Sequence, residues 1–242
     1  HIVRLIEYFV EDDQVLFVME LLDGPTLGER MRHQGKFDEK FAARAARHML
    51  KALFCCHCNG IAHNDVSPEN FRFDTHRPNW NLKMVDFGLS ERFEEVEVAR
   101  PRSDSDRGHY IQERDIWGAG VILFRMVSGT PLFAETASDT QRITCSTDPS
   151  YVPARLAEVG TDLSQEALGL LRGMLEPSTK NRMSARETLL HPFITRFDVA
   201  EDDEPLGVDK GRHALLRCIE ALRALHQAPR LKHIALLITA HL

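Results

Sequence analysis

The 242-residue chain is 43% hydrophobic and 27% charged, with 30 Lys+Arg against 36 Asp+Glu and a net charge of −6. That balance excludes a disordered polyelectrolyte and a collagen-like chain, and it argues against a nucleic-acid binder working through bulk charge. Five cysteines, three of them crowded at Cys55, Cys56 and Cys58, do not make a disulfide framework, so a reducing compartment, the cytoplasm, is expected.

Residues 2–9 and 15–19, joined by the acidic turn 11–14, alternate as a β-hairpin. The apolar opening is followed by Glu11, Asp12 and Asp13 without a cleavage-like site, so no signal peptide is read. No run of about 18 apolar residues predicts a membrane span. The sequence starts at His1 rather than Met and reads as the continuation of a longer chain. Asp23-Gly24-Pro25 breaks the hairpin, and Thr26 with Glu29 three residues on is a capping box that starts a short helix. Asp38 caps a longer helix over 39–59, with Phe41, Ala45, Met49, Ala52, Leu53 and Cys56 at helical spacing and Gly60 after its end.

Short strands are predicted at 71–73 and 82–85 around the polar turn 74–81, and a charged loop over 91–109. Residues 115–128 form an apolar helix buried on several faces. Helices follow at 164–175 and after the capping box Ser184/Glu187, stopped at His191-Pro192. An acidic linker, 198–204, leads to two predicted helices at 209–227 and 230–242, split by Pro229. Cys55-Cys56-His57-Cys58 has no second ligand pair and ends a core helix, so it reads as buried thiols rather than a zinc site.

Two clusters carry chemistry: His63-Asn64-Asp65-Val66-Ser67-Pro68-Glu69-Asn70, and Asp86-Phe87-Gly88. Asp65 and Asn70 share one loop, and Asp86 follows a strand with Gly88 allowing a sharp turn. Two carboxylates and an amide make an all-oxygen site of the kind that holds Mg²⁺ together with substrate phosphates. The remaining Asp can orient an attacking hydroxyl.

H-x-D-x-x-P-E-N, then D-F-G, then D-I-W-G-A-G-V-I-L-F in that order resembles the protein-kinase catalytic domain, and the wording is closest to the calcium/calmodulin-dependent group. Residues 18–22 resemble the hinge that contacts adenine, 181–194 the last helices of the larger lobe, and 231–236 the junction helix of calcium-dependent protein kinases. The resemblance implies an α+β, mainly α fold: a protein-kinase-like larger lobe (23–197), a remnant of the β-rich smaller lobe (1–22) and an acidic linker with a helical tail (198–242). It implies a Ser/Thr protein kinase using ATP and Mg²⁺ on a protein substrate, with no nucleic acid and no membrane as partner. By position, Asp65 is the catalytic base or orienter, with Ser67 beside it. Asn70 and Asp86 bind Mg²⁺. Glu20 and Leu22 offer backbone groups to adenine, Met19 is the gatekeeper, and Val85 and Arg72 border the nucleotide. His63, Phe87 and Asp115 tie the catalytic loop to the apolar helix. The basic amphipathic stretch 212–227 reads either as a helix packed on the lobe or as the contact for a calmodulin-like domain.

Departures from the family pattern predict impaired catalysis. The Gly-rich loop, strand Lys and helix Glu would lie ahead of His1, and the sequence contains no G-x-G-x-x-G. Ser67 stands where a Lys neutralises charge on the transferring phosphoryl group, and Asn64 replaces an Arg. Arg72 stands where an apolar side chain packs under adenine and needs a partner or an exit to water. Only 29 positions separate Asp86 from Asp115, with Ala99-Arg100-Pro101 as a degenerate trace of A-P-E, so Arg182 is expected to lack its Glu partner. Three readings stand: an impaired kinase, a pseudokinase acting as a non-catalytic interaction protein, and an incomplete fragment of a longer kinase.

Overall fold

The computed structural model describes residues 1–11, 14–93, 111–134, 145–197 and 235–239, together with Thr136, Ser138 and Gln141. The acidic linker, the predicted helix 209–227, the A-P-E trace and most of the charged loop lie outside the described residues.

The hairpin forms as β1 (Leu5–Glu11) and β2 (Gln14–Met19), antiparallel, with an irregularity between Leu5 and Glu7. Thr26 and Glu29 make the capping box of α1 (Leu27–Gln34): the Thr26 hydroxyl accepts from the Glu29 N–H, and the Glu29 carboxylate accepts from the Thr26 N–H. Asp38 caps α2 (Glu39–Cys58) by accepting from the Phe41 N–H at 2.7 Å. Past α2 the chain turns through Gly60 at φ +67, a left-handed conformation where glycine carries no Cβ penalty.

Two short antiparallel pairs follow, β3 (Ile61–Ala62) with β6 (Glu91–Arg92) and β4 (Phe71–Phe73) with β5 (Leu82–Met84). The apolar helix is α3 (Ile111–Ser128), which starts four residues before Asp115. Helix α4 (Tyr151–Val159) was not expected; Pro153 sits in its first turn, where a missing N–H costs nothing. Ser164 caps α5 (Gln165–Met174), Ser184 caps α6 (Ala185–Leu189) with its box to Glu187, and His191 caps α7 (Pro192–Thr195).

One face of α2 (Ala42, Ala45, Met49, Leu53, Cys56) and the body of α3 (Ile116, Ala119, Leu123, Met126) are buried together with Leu168, Leu171 and Met174 of α5. Each leucine-sized side chain removed from water contributes about 1.5–3 kcal/mol, so this interior is the main source of stability. Close approach is written into α3: a Cβ on Gly120 would meet the Leu175 side chain at 2.9 Å. Gly118 leaves the same room for Val66 of the loop after β3.

The helix expected over 230–242 is not formed within its described part. Ala235–Thr239 is a strand, β7, pairing parallel with β2 from Val15↔Ala235 to Met19↔Thr239. A short apolar run carries both helical and strand patterns, and the open edge of β2 supplies the backbone partners that decide for strand. Among the described residues no helix is long and apolar enough to cross a membrane.

Candidate active site

The loop after β3 is organised by one buried carboxylate. Asp115, 1% exposed on α3, accepts from the backbone N–H groups of His63 (2.8 Å) and Asn64 (2.9 Å), and from the ring of His57 at 2.9 Å. His63 extends the network. Its Nδ1 accepts from the Asp65 N–H at 3.3 Å, which leaves Nε2 as the donor to the Val85 carbonyl at 3.2 Å. Its ring meets Phe87 edge-on at 5.1 Å. The expected tie between His63, Phe87 and Asp115 is therefore present as contacts, and His57 is an additional member that the reading of its neighbours as thiols passed over.

The Asn70 amide donates to the Asp65 carboxylate at 2.7 Å and to the Asp65 carbonyl at 2.9 Å. With Nδ2 so engaged, Oδ1 of Asn70 is left as an acceptor. The Val85 N–H donates to the Asn70 carbonyl at 2.9 Å, which brings Asp86 beside this pair. Asp86 has φ +58, and its Oδ1 accepts from the Gly88 N–H at 3.0 Å. A Cβ on Gly88 would press on that oxygen at 3.1 Å. Asn64 also sits at positive φ, +63, a conformation Asn tolerates. Its amide donates to Leu89 O at 3.2 Å, while its own buried Oδ1 has no hydrogen-bond partner among the described residues.

Ser67 precedes a 3₁₀ turn over Pro68–Asn70 and makes no side-chain capping bond there. Glu69 faces away, to the Thr26 hydroxyl at 3.0 Å and to Arg32 at 2.5 Å.

At the other end, Met19 closes β2 and packs with Phe17 on Leu5. Glu20 accepts from the Arg4 N–H at 2.7 Å and pairs with Lys83 at 2.6 Å. Leu22 is buried, and its carbonyl accepts from Nε of Arg72 at 3.1 Å. Arg72 thus finds a protein partner, the one the sequence reading said a guanidinium would need.

Arg182 is also satisfied, though not by the expected kind of group. It donates to the carbonyls of Glu176, Glu113 and Pro177 and stacks on Trp117 at 4.9 Å. Burial lowers its pKa to about 10, so it stays charged at neutral pH. The cysteine cluster divides: Cys56 is buried, burial raises the Cys55 thiol pKa, and Cys58 is exposed. A cavity of about 160 Å³ near His57, Glu113 and Arg186 lies between the α2 end and α6, away from Asp65 and Asp86.

The donor set of Asn70 Oδ1 and the free oxygen of Asp86 is hard and all-oxygen, and it fits Mg²⁺. Among the described residues no group of three His, Cys, Asp or Glu is arranged around a common metal position. A two-ligand arrangement is the kind Mg²⁺ accepts when substrate phosphates and water complete its shell.

A family model described as the protein kinase domain matches residues 1–194. Calcium-dependent protein kinase 13 of Arabidopsis thaliana is 35% identical over 215 residues, covering 85% of this chain and 40% of that protein. Calcium-dependent protein kinase 8 of Arabidopsis thaliana is 37% identical over 204 residues, covering 80% of this chain and 37% of that protein. Calcium-dependent protein kinase SK5 of Glycine max is 34% identical over 215 residues, covering 84% of this chain and 41% of that protein. The chain spans roughly two-fifths of the length of these curated relatives. On the ordered loop, the Asp86-Phe87-Gly88 turn and the match across most of its length, this chain belongs to the protein kinase domain family.

Proposed function

We propose that the chain is a Ser/Thr protein kinase domain that binds Mg-ATP and transfers its γ-phosphoryl group slowly. The supporting observation is that Asp65 and Asn70 are bonded on a loop held by buried Asp115, with Asp86, two residues past β5, brought alongside by the bond from the Val85 N–H to the Asn70 carbonyl. Asp65 takes the proton of a substrate Ser or Thr hydroxyl as its oxygen bonds to phosphorus. The bond between the γ-phosphorus and the bridging oxygen breaks, and ADP leaves with that oxygen. Asn70 and Asp86 would hold Mg²⁺, which would supply charge neutralisation at the phosphates. Asn70 keeps the Asp65 carboxylate oriented, and His63 fixes the Asp65 backbone by accepting from its N–H.

Ser67 supplies no positive charge to the transferring group. Losing one such electrostatic contact lowers rates on the order of 10²–10³-fold. Assays with Mg-ATP and a generic Ser/Thr peptide should show weak turnover that Asp86→Ala abolishes and Ser67→Lys raises at least about tenfold. Robust turnover that survives Asp86→Ala would overturn the assignment.

A second reading, a non-catalytic interaction protein, is favoured by the Arg72 contact at the hinge. It predicts no turnover in Ser67→Lys and no rise in melting temperature with millimolar Mg-ATP. The partners proposed are a protein substrate and, through 212–227, a calmodulin-like domain; calorimetry of the full chain with calcium-loaded calmodulin checks the latter. Cys55, Cys56, Cys58 and Cys145 form no disulfide, which supports the cytoplasm as the proposed compartment.

A further inference from the structure

Two guanidinium groups, one from α1 and one from α2, share an aromatic platform. Phe41 stacks on Phe37 with centroids 4.6 Å apart, and Trp80 meets Phe41 and Phe73, each at 4.9 Å. Arg30 of α1 lies over Phe41 at 4.6 Å and over Phe73 at 5.0 Å, and it is 6.0 Å from the Trp80 centroid. Arg44 of α2 lies over Trp80 at 4.4 Å and donates to the Trp80 carbonyl at 2.8 Å. Both cations therefore stand within 6.0 Å of one ring centroid. Cation–π contact and packing order them in advance of any ligand.

Each carboxylate of these elements is engaged by a backbone N–H. Glu29 accepts from Thr26, Asp38 from Phe41, Glu39 from Ser164, and Asp74 from Asn81, whose side-chain amide it also accepts. Among the described residues half-buried Arg30 has its ring contacts but no ion pair and no side-chain hydrogen bond. Burial lowers its pKa, and no carboxylate raises it. Lys40 lies one turn before Arg44 on the same face of α2, and Arg77 is exposed in the turn 74–81 that Arg44 holds. Burial, then the positive charges of Arg44, Lys51 and Arg47, depress the His48 pKa, so the field along this side of α2 is positive. In a chain of net charge −6 such a surface is the exception.

We propose that this surface docks an acidic peptide segment of a protein partner, with Arg30 receiving one carboxylate and Arg44, Lys40 and Arg77 attracting its neighbours. A guanidinium whose face lies on a ring keeps its in-plane N–H groups for two parallel bonds to a carboxylate. Because the rings already order Arg30, binding costs less side-chain entropy. A single exposed ion pair contributes little, so recognition requires several carboxylates joined on one chain rather than a free anion. None of these residues belongs to the Asp65, Asn70 and Asp86 cluster, so this inference stands apart from the nucleotide reading.

The test is fluorescence anisotropy of the full chain with two labelled hexapeptides, Glu-Asp-Asp-Glu-Asp-Glu and its Gln/Asn counterpart, at about 0.05 M salt. The acidic peptide should bind at least about tenfold more tightly than the neutral one. Arg30→Gln keeps much of the stem on the rings and should weaken the acidic peptide at least about tenfold. Arg44→Gln serves the same comparison if that variant fails to fold, as judged by melting temperature. Arg32→Gln removes the same charge nearby on α1, where Arg32 pairs with Glu69, and should change binding by less than about twofold. Equal binding of the two peptides overturns the proposal, and so do equal losses in the Arg30 and Arg32 variants, which would report bulk charge alone. Displacement of the acidic peptide by an equimolar amount of inorganic phosphate also overturns it, in favour of a free-anion site.

Discussion

Asp115 and Glu20 each hold a segment of the cleft with a carboxylate, in opposite surroundings. Asp115 is 1% exposed and accepts from two backbone N–H groups and the His57 ring. Glu20 keeps 19% of its side-chain surface in water and is shared between the Arg4 N–H and Lys83. At the loop end, removing the carboxylate strands buried donors that nothing else can reach. At the Glu20 end, water and salt can substitute for it. The loop that carries Asp65 is therefore held by buried bonds, whereas the segment at Leu22 is held by contacts that conditions can weaken.

The sharpest way to break this contrast is Asp115→Ala, which leaves the His63 and Asn64 N–H groups and His57 without their acceptor. A loss of about 3–5 kcal/mol in urea unfolding is expected. A loss below about 1 kcal/mol would mean that the loop is held by packing alone.

The next effect is set by pH and acts between the two ends. His48 on α2 accepts from the Leu82 N–H at 3.0 Å, anchoring β5, the strand that carries Lys83. Burial foremost, helped by nearby Arg44 and Lys51, depresses its pKa from 6.5 to about 3. In that window the unfolded chain binds a proton that the folded chain refuses, so stability falls as pH drops from 6.5 towards 3. The slope should approach about 1.4 kcal/mol per pH unit and vanish above the unfolded value. Protein in which His48→Leu removes this part of the slope, measured by denaturant titration across pH, supports the assignment.

Glu20→Gln should cost about 1 kcal/mol, and raising salt from about 0.05 to about 0.5 M should shrink the difference, because the pair is partly exposed. A salt-independent loss as large as that of Asp115→Ala would erase the contrast. Smallest is Arg32→Ala. Its bond to Glu69 joins side chains 56% and 51% exposed, and a change within about 0.5 kcal/mol is expected in thermal melts.

Most of the loop end was legible in the sequence because its signals are local. The caps at Thr26, Asp38, Ser164 and Ser184 each act on an N–H three residues away. Asp65 and Asn70 bond within one loop, and Gly88 is adjacent to the turn it permits. His57 escaped notice because its partner is 58 residues off and its neighbours suggested thiol chemistry. Arg182 was expected to lack the Glu of an A-P-E motif, and the backbone carbonyls that serve it lie on segments no local pattern joins.

The order of motifs by itself determined the family, the mainly helical architecture and the residues around which chemistry is proposed. Spacing along the chain is a property the sequence states directly. Only the tertiary structure decided that Arg72 reaches Leu22, that Lys83 reaches Glu20, and that Ala235–Thr239 pairs as a strand with β2. These contacts join residues 50 or more positions apart, and their energies depend on burial and on which backbone edge stands open. Neither quantity is written in local pattern, since both arise only when distant segments have folded against one another.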